Sequence, residues 1–435
     1  MVESRLKRLK RSPANANPGI GVVALCGNLM AMSTPTFSDA FRLQSSGCLR
    51  RVLAALSGLS PGIASSALVV LMAGTAQAQN VRPEIVASGL RNPWAVAFLP
   101  EGRFLVTERP GSMRIVEANG GLSQPLDGVP KVAAGGQGGL LDVVLDSAFA
   151  SNNTLYFCFS EPAASGSGNS TALARARLAA DRTRLEDVRI IFSQKPKVSS
   201  SGHFGCRIVE RRVDGKPDGT LFLTLGERYG RKEDAQTLDN HHGKLVRVGK
   251  DGSVPRDNPF VGKAGALPEI WSYGHRNMQG ATLAPDGRLW THEHGPQGGD
   301  EINLPQPGRN YGWPVITYGE NYGGGRIGDG ITEKAGMEQP LHYWVPSIAP
   351  SGMAFLTSER YGKAWQGNLF VGSLKFAYLD RIELAAPYSG KVVREHKLLT
   401  SLGERVRDVR QGPDGLLYVV TDAADGKLVR LLPAP

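Results

Sequence analysis

Residues 217–227 read PDGTLFLTLGE. A Pro-Asp-Gly turn leads into a stretch where Leu221, Leu223 and Leu225 alternate with Thr220, Phe222 and Thr224, and an acidic residue closes it. A tight turn followed by period-2 alternation is the signature of a hairpin strand. Five other stretches share the design: PEGRFLVTE from Pro100, NNTLYFCFSE from Asn152, PDGRLWTHE from Pro285, WQGNLFVGSL from Trp365 and PDGLLYVVTD from Pro413. Leu105, Tyr156, Phe222, Leu289, Leu369 and Leu417 mark corresponding positions.

 

Six units of about 60 residues, each a four-stranded sheet with one long loop, predict an all-β, six-bladed β-propeller. A β-sandwich joined to a second β-domain is the competing architecture, since the repeats are unevenly spaced.

Composition agrees. The 435 residues include 54 Gly and 28 Pro, 41% are hydrophobic and 21% charged, which supplies many turns and a sizeable core and excludes a helix bundle or a disordered chain. The net charge of +10 lies mostly in residues 1–78, where eight Lys or Arg face only Glu3 and Asp39. The body is therefore no polyanion binder, and no nucleic-acid partner is predicted. Arg50 and Arg51 precede an apolar stretch, Ile63 to Ala73, and then Ala76-Gln77-Ala78, the small-x-small pattern of an export signal. Cleavage after Ala78 leaves 79–435 as one catalytic domain. A stretch of eleven residues is too short for a membrane span, so no stable insertion is predicted. Cys158 and Cys206 remain in the body, where an oxidising compartment permits a disulfide and two buried thiols are the equal alternative.

The densest polar constellation is HEHGPQGGDEIN, His292 to Asn303, followed by NYGWP from Asn310. Asp300 and Glu301, with the carbonyls of Gly295 and Pro296, offer the all-oxygen environment that Ca²⁺ prefers; a self-solvating loop is the plainer reading. His292 and His294 lack zinc spacing. Arg276 and Asn277 in WSYGHRN, Lys375 after the fifth repeat, and Arg405 and Arg407 in GERVRDV would together suit a polycarboxylate or phosphate, although singly each reads as a surface charge. His203 in SSSGHFGCRIV is a candidate general base, with Glu227 placed to orient it; a lone loop histidine is otherwise inert. Gly323, Gly325 and Gly328 spell GxGxxG without a leading strand or following helix, and the sequon at Asn169 and the pair His241-His242 carry no chemistry by spacing.

Taken in order, GLRNPWAVAFLP, GQGGLLDV, GHFGCRIV, LDNHHGKLVRV, DNPF, EIWSYGHRN, the run from His294 to Pro314, GMAF and ERVRDVRQGPDGLLYVVTD resemble the soluble quinoprotein aldose sugar dehydrogenases. This glucose/sorbosone dehydrogenase family uses pyrroloquinoline quinone (PQQ). The resemblance runs from about Arg91 to Leu432 and implies a six-bladed propeller in the periplasm. It implies oxidation of an aldose at its anomeric carbon to an aldonolactone, with His203 as general base supported by Glu227. By the same resemblance Gln137 and Trp344 contact the sugar, and Arg276, Asn277, Lys375, Arg405, Arg407 and Asp422 bind PQQ. Gly295 and Pro296 hold a Ca²⁺ against the cofactor, and Glu301 and Tyr311 hold a structural Ca²⁺. An electron acceptor, a quinone or a cytochrome, is then needed, and the protein is a monomer or homodimer. Two departures stand out: the basic stretch ERYGRKED, Glu227 to Asp234, and His294 beside the metal carbonyls. A Ca²⁺-dependent lactonase-type hydrolase on a propeller and a non-catalytic binding propeller are the alternatives; neither needs several cations around one ligand.

Overall fold

Each of the six repeats folds as the second strand of its own sheet: Phe104–Glu108, Thr154–Pro162, Lys216–Leu225, Leu289–Glu293, Leu369–Ser373 and Leu417–Thr421. The turns before them hold Gly or Asn at positive φ, 84° at Gly287 and 50° at Asn153, so the chain reverses within a few residues. The computed structural model describes residues 81–434. The export leader read in residues 1–78 lies outside the described residues.

The first strands of the sheets, Pro93–Phe98, Leu140–Leu145, Gly205–Val213, Met278–Leu283, Pro350–Phe355 and Val406–Gln411, touch one another in sequence around a ring, the last against the first. They are the inner strands of six blades. Burial falls outward, as it must when only the inner strands face other blades: Pro350–Phe355 is buried throughout, whereas the outermost strand of the same blade, Val392–Leu398, is half solvated. The last blade is closed by the two ends of the described residues. Val81–Leu90 pairs antiparallel with Gly426–Pro433, from Val81 opposite Pro433 to Leu90 opposite Gly426. Closure packs the first blade against the sixth and so covers the blade faces that an open array would expose.

Two details depart from expectation or decide an open point. The first blade has three strands, ending at Ser112–Val116, with only an isolated bridge from Val116 to Leu122 beyond. Pro125 and Pro130 in the following segment cannot donate to a ladder. Cys158 and Cys206 form a disulfide across 5.9 Å between Cα atoms, tying the second strand of blade two to the inner strand of blade three.

The axis of the ring is filled by charge. Arg207 Nη1 reaches Asp408 at 2.9 Å and Asp142 at 3.3 Å, its Nε donates to the Gln279 carbonyl at 2.8 Å, and its guanidinium lies 4.2 Å from the Trp94 ring centre. Arg410 pairs with the same two aspartates at 2.6 and 2.9 Å. Five blades thus meet in one network. A lactonase-type metal at this position would need side-chain ligands, and no group of three or more His, Cys, Asp or Glu suited to a metal occurs among the described residues.

Candidate functional site

In a blade whose first two strands are joined by a tight turn, the start of the first strand and the end of the second come out on the same face. The connections from second to third strands open there, the longest of them residues 226–243. A cavity of about 760 Å³ lies on that face. Trp94, Gln279 and Arg407 line it from the starts of inner strands; Arg109, His294, Lys375 and Asp422 line it from the ends of second strands.

The cavity is cationic. Arg407 Nη2 and Arg405 Nη2 donate to Asp422 Oδ2 at 2.8 and 3.3 Å, and Arg109 stands 3.8 Å from its other oxygen. Burial alone would raise the Asp422 carboxyl, but Arg407, then Arg405 and Arg109, outweigh it and hold the pKa down to about 2. Lys375 has no carboxylate partner among the described residues; its ammonium lies 5.2 Å from the Phe376 ring. Three arginines therefore surround one carboxylate, and Lys375 brings a fourth cation to the same cavity. Nε of Arg407 and of Arg109 are buried without partners among the described residues. An excess of positive charge over an enclosed volume, with unspent donors, calls for an anionic ligand of several carboxylates.

His203 stands behind one wall of this cavity. Its main-chain N–H donates to Gln137 Oε1 at 2.8 Å, and Gln137 lines the cavity. Its Nδ1 meets Glu227 Oε2 at 2.5 Å, and the same oxygen accepts the Tyr229 N–H at 2.8 Å. The ring is 4% exposed. Burial lowers its pKa more than Glu227 raises it, so the imidazole is neutral at pH 7. With Nδ1 engaged, Nε2 is the proton-accepting atom.

A small chamber adjoins the cavity and is lined by Arg276, Glu293, Gly295, Glu301 and Tyr311, among others. Arg276 Nη1 donates to the Gly295 carbonyl at 2.8 Å and the His294 carbonyl at 3.0 Å, so this backbone already presents oxygen to positive charge. No side chain fits at Gly295, where a Cβ would lie 2.1 Å from the Gly298 carbonyl oxygen. Deeper in, Asn303 Nδ2 bridges Glu293 at 3.2 Å and Glu301 at 3.3 Å. Burial, then the Glu293 charge, push the Glu301 carboxyl well above its usual range. Glu293 meets His275 Nδ1 at 3.0 Å and accepts the Arg276 N–H, so Glu301 is the carboxyl left to attract a cation.

Most residues anticipated from sequence converge. Gln137, Pro296, Lys375, Arg405, Arg407 and Asp422 line the main cavity, while Arg276, Gly295, Glu301 and Tyr311 line the chamber beside it. Asn277 is buried between them, its Oδ1 accepting from Gly205 N at 3.1 Å and its Nδ2 without a partner among the described residues. Tyr311 spends its hydroxyl on the Leu304 carbonyl at 2.6 Å, which leaves only its main chain for a metal. Three expectations change. Trp344 lines neither cavity; it packs between the fourth and fifth blades and donates its indole N–H to Glu395 at 3.2 Å. Asp300 is no metal ligand, because its oxygens take main-chain N–H groups of Gly295, Ile348 and Ala349 at 2.7 to 2.9 Å and so fix two loops. The His294 ring is pinned to the Pro350 carbonyl at 2.6 Å, not turned to the Gly295 and Pro296 carbonyls. Sequence reasoning missed Trp94, Arg109 and Gln279. Arg109 carried a usable signal, since it follows the first repeat as Lys375 and Asp422 follow theirs.

Residues 90–430 match the family described as Glucose / Sorbosone dehydrogenase. The aldose sugar dehydrogenase YliI of Escherichia coli K12 is 47% identical over 357 residues, covering 81% of this chain and 93% of the relative. Quinoprotein glucose dehydrogenase B of Acinetobacter calcoaceticus is 27% identical over 444 residues, 83% of this chain and 90% of the relative. A solved structure of the PQQ-bound form of aldose sugar dehydrogenase from Streptomyces coelicolor is similar with a TM-score of 0.64 and 29% identity, covering 81% of this chain and 98% of that one.

Proposed function

The chain belongs to the Glucose / Sorbosone dehydrogenase family, and from that premise we propose that it oxidises aldoses at the anomeric carbon to aldonolactones, with PQQ and Ca²⁺ as cofactors. The observation that carries this reading is the cavity lined by four cations and one carboxylate, with a carboxylate-oriented imidazole held behind its Gln137 wall.

PQQ bears three carboxylates and an ortho-quinone, and when bound it supplies the acceptor for the hydride that leaves the sugar. Lys375, Arg405 and Arg407 answer the carboxylates. Asp422 fixes the two guanidinium groups in one orientation, so little side-chain freedom is lost on binding. Arg276 and Asn277 complete the wall, and the Gly295 and Pro296 carbonyls would hold Ca²⁺, the first of them already facing the Arg276 guanidinium. Glu301, with the main chain of Tyr311, holds the second Ca²⁺ in the chamber behind.

His203 Nε2 accepts the proton of the anomeric hydroxyl. Glu227 keeps Nδ1 protonated, which fixes the tautomer, and stabilises the imidazolium that forms. Gln137 holds the His203 N–H through its oxygen and presents its amide to the cavity, where it can donate to a sugar hydroxyl. Export after cleavage at Ala78 would place this chemistry in the periplasm.

His203→Ala tests the reading. We expect PQQ to bind within a few-fold of the parent while turnover falls by at least roughly 10²-fold, the usual worth of a positioned base. Turnover within threefold of the parent would remove His203 from the proton transfer.

A further inference from the structure

The loop that carries His203, residues 198–203, forms neither helix nor strand, yet it must hold an imidazole in place. Its main chain is strained: His203 has φ 49°, the left-handed region that a β-carbon disfavours. Glu227 grips the ring, not the backbone. The backbone is gripped by the next residue. Arg228 Nη1 donates to the Gly202 carbonyl at 2.7 Å and the His203 carbonyl at 3.3 Å, and Nη2 donates to the Ser200 carbonyl at 2.8 Å and to Asn169 Oδ1. In return Ser200 Oγ donates to the Arg228 carbonyl at 2.8 Å. The guanidinium lies 3.6 Å from the Phe204 ring centre and the residue is 1% exposed. Gly226 lets the two loops close, since a Cβ there would lie 2.2 Å from the His203 carbonyl oxygen.

We propose that Arg228 is a positioning residue for the base: its fork fixes the main chain of residues 200–203, so that Glu227 needs only to orient the ring. The proposal rests on the reading of His203 as the base. Arg228 has no carboxylate within salt-bridge distance among the described residues, so its charge is answered by carbonyl oxygens and an aromatic face. Burial lowers its pKa to about 10, which leaves it cationic at neutral pH. A structural ion pair would have no use for that arrangement, but a bidentate clamp on successive carbonyls does. The charge has a second effect. Glu227, Arg276 and Arg228 are the charged groups that act on the His203 ring, and both arginines oppose its protonation.

Arg228→Met and Arg228→Lys separate fork from charge. Each is compared with the parent by kcat and KM for an aldose after loading with PQQ and Ca²⁺, by PQQ affinity, and by NMR titration of the His203 imidazole in the apoprotein. We expect Arg228→Met to bind PQQ within threefold of the parent, to lose roughly 10- to 100-fold in kcat, and to titrate His203 at higher pH. Arg228→Lys keeps the charge without the fork, so kcat falls while the titration stays in place. Arg228→Met with parental kcat, an unmoved His203 titration, or a loss of PQQ affinity as large as the loss of kcat would overturn the proposal. If Arg228→Met does not fold, parental kcat in Arg228→Lys would overturn it and a fall in kcat at retained PQQ affinity would support it. The apoprotein titration is independent of turnover, and His203→Ala reports on the base itself. Failure of the clamp is thereby distinguished from failure of the reading beneath it.

Discussion

Lys375→Met is the cleanest perturbation of the cationic cavity. The ammonium makes no ion pair among the described residues and stands on an exposed turn at the end of a second strand, with the Phe376 ring 5.2 Å away as its neighbour. Its removal should therefore change folding stability by no more than about 0.5 kcal/mol. If Lys375 meets a carboxylate of PQQ, the variant forgoes one charge-assisted hydrogen bond worth about 1.5–3 kcal/mol, which is on the order of 10- to 100-fold in Kd. Arg407→Met makes the control. That side chain holds Asp422 at 2.8 Å, so its loss should cost stability as well as affinity. Titration of apoprotein with PQQ in Ca²⁺, followed by fluorescence or calorimetry, measures the first quantity, and urea unfolding measures the second. Parental PQQ affinity in Lys375→Met would refute the assignment of Lys375 to the cofactor.

Asp422 supplies a pH signature. Its folded-state pKa is depressed from 3.8 to about 2, so its contribution is present above pH 4 and is lost as the pH falls through 2. The depression corresponds to about 2 kcal/mol, and urea melts should show the acid limb of stability flattened by that amount in Asp422→Asn; an unchanged limb would count against the arginine cluster. The disulfide closes a separation of 48 residues, for which chain entropy gives up to about 4 kcal/mol. We expect the double variant Cys158→Ser, Cys206→Ser to lose about 2–4 kcal/mol of stability and its sensitivity to reductant. A parental guanidinium midpoint would show that the bond is dispensable.

Legibility followed local chemistry. Six turns with Gly or Asn before alternating strands were readable because turn and strand lie within ten residues, and all six proved to be second strands. Their ends gave the site as well: Glu227, Lys375 and Asp422 each follow the strand of a repeat and emerge on the face that carries the cavity. What escaped depended on distance. Arg109 looks like any surface arginine until blade six brings Asp422 within 3.8 Å. Asp300 read as a metal ligand because its type and neighbours suit Ca²⁺, but loop residues 347–349 arrive from the next blade and claim one of its oxygens. Trp344 fell to the core between two blades because it sits on an outermost strand, far from the axis. The basic stretch after Glu227 is consumed by itself and its neighbours: Arg231 pairs with Asp234 at 2.8 Å, and His242 Nδ1 meets Asp234 at 2.7 Å, which gives the His241-His242 pair a structural task.

The central claim is that cations from separate blades grip one flat polycarboxylate beside His203. Binding of PQQ to the apoprotein, titrated with Ca²⁺ present and with it chelated, tests this most directly. A single saturable site per chain, tightened by Ca²⁺ and accompanied by the onset of aldose-dependent dye reduction, is the predicted result. No saturable binding, or binding that leaves dye reduction absent with every aldose tried, would contradict it.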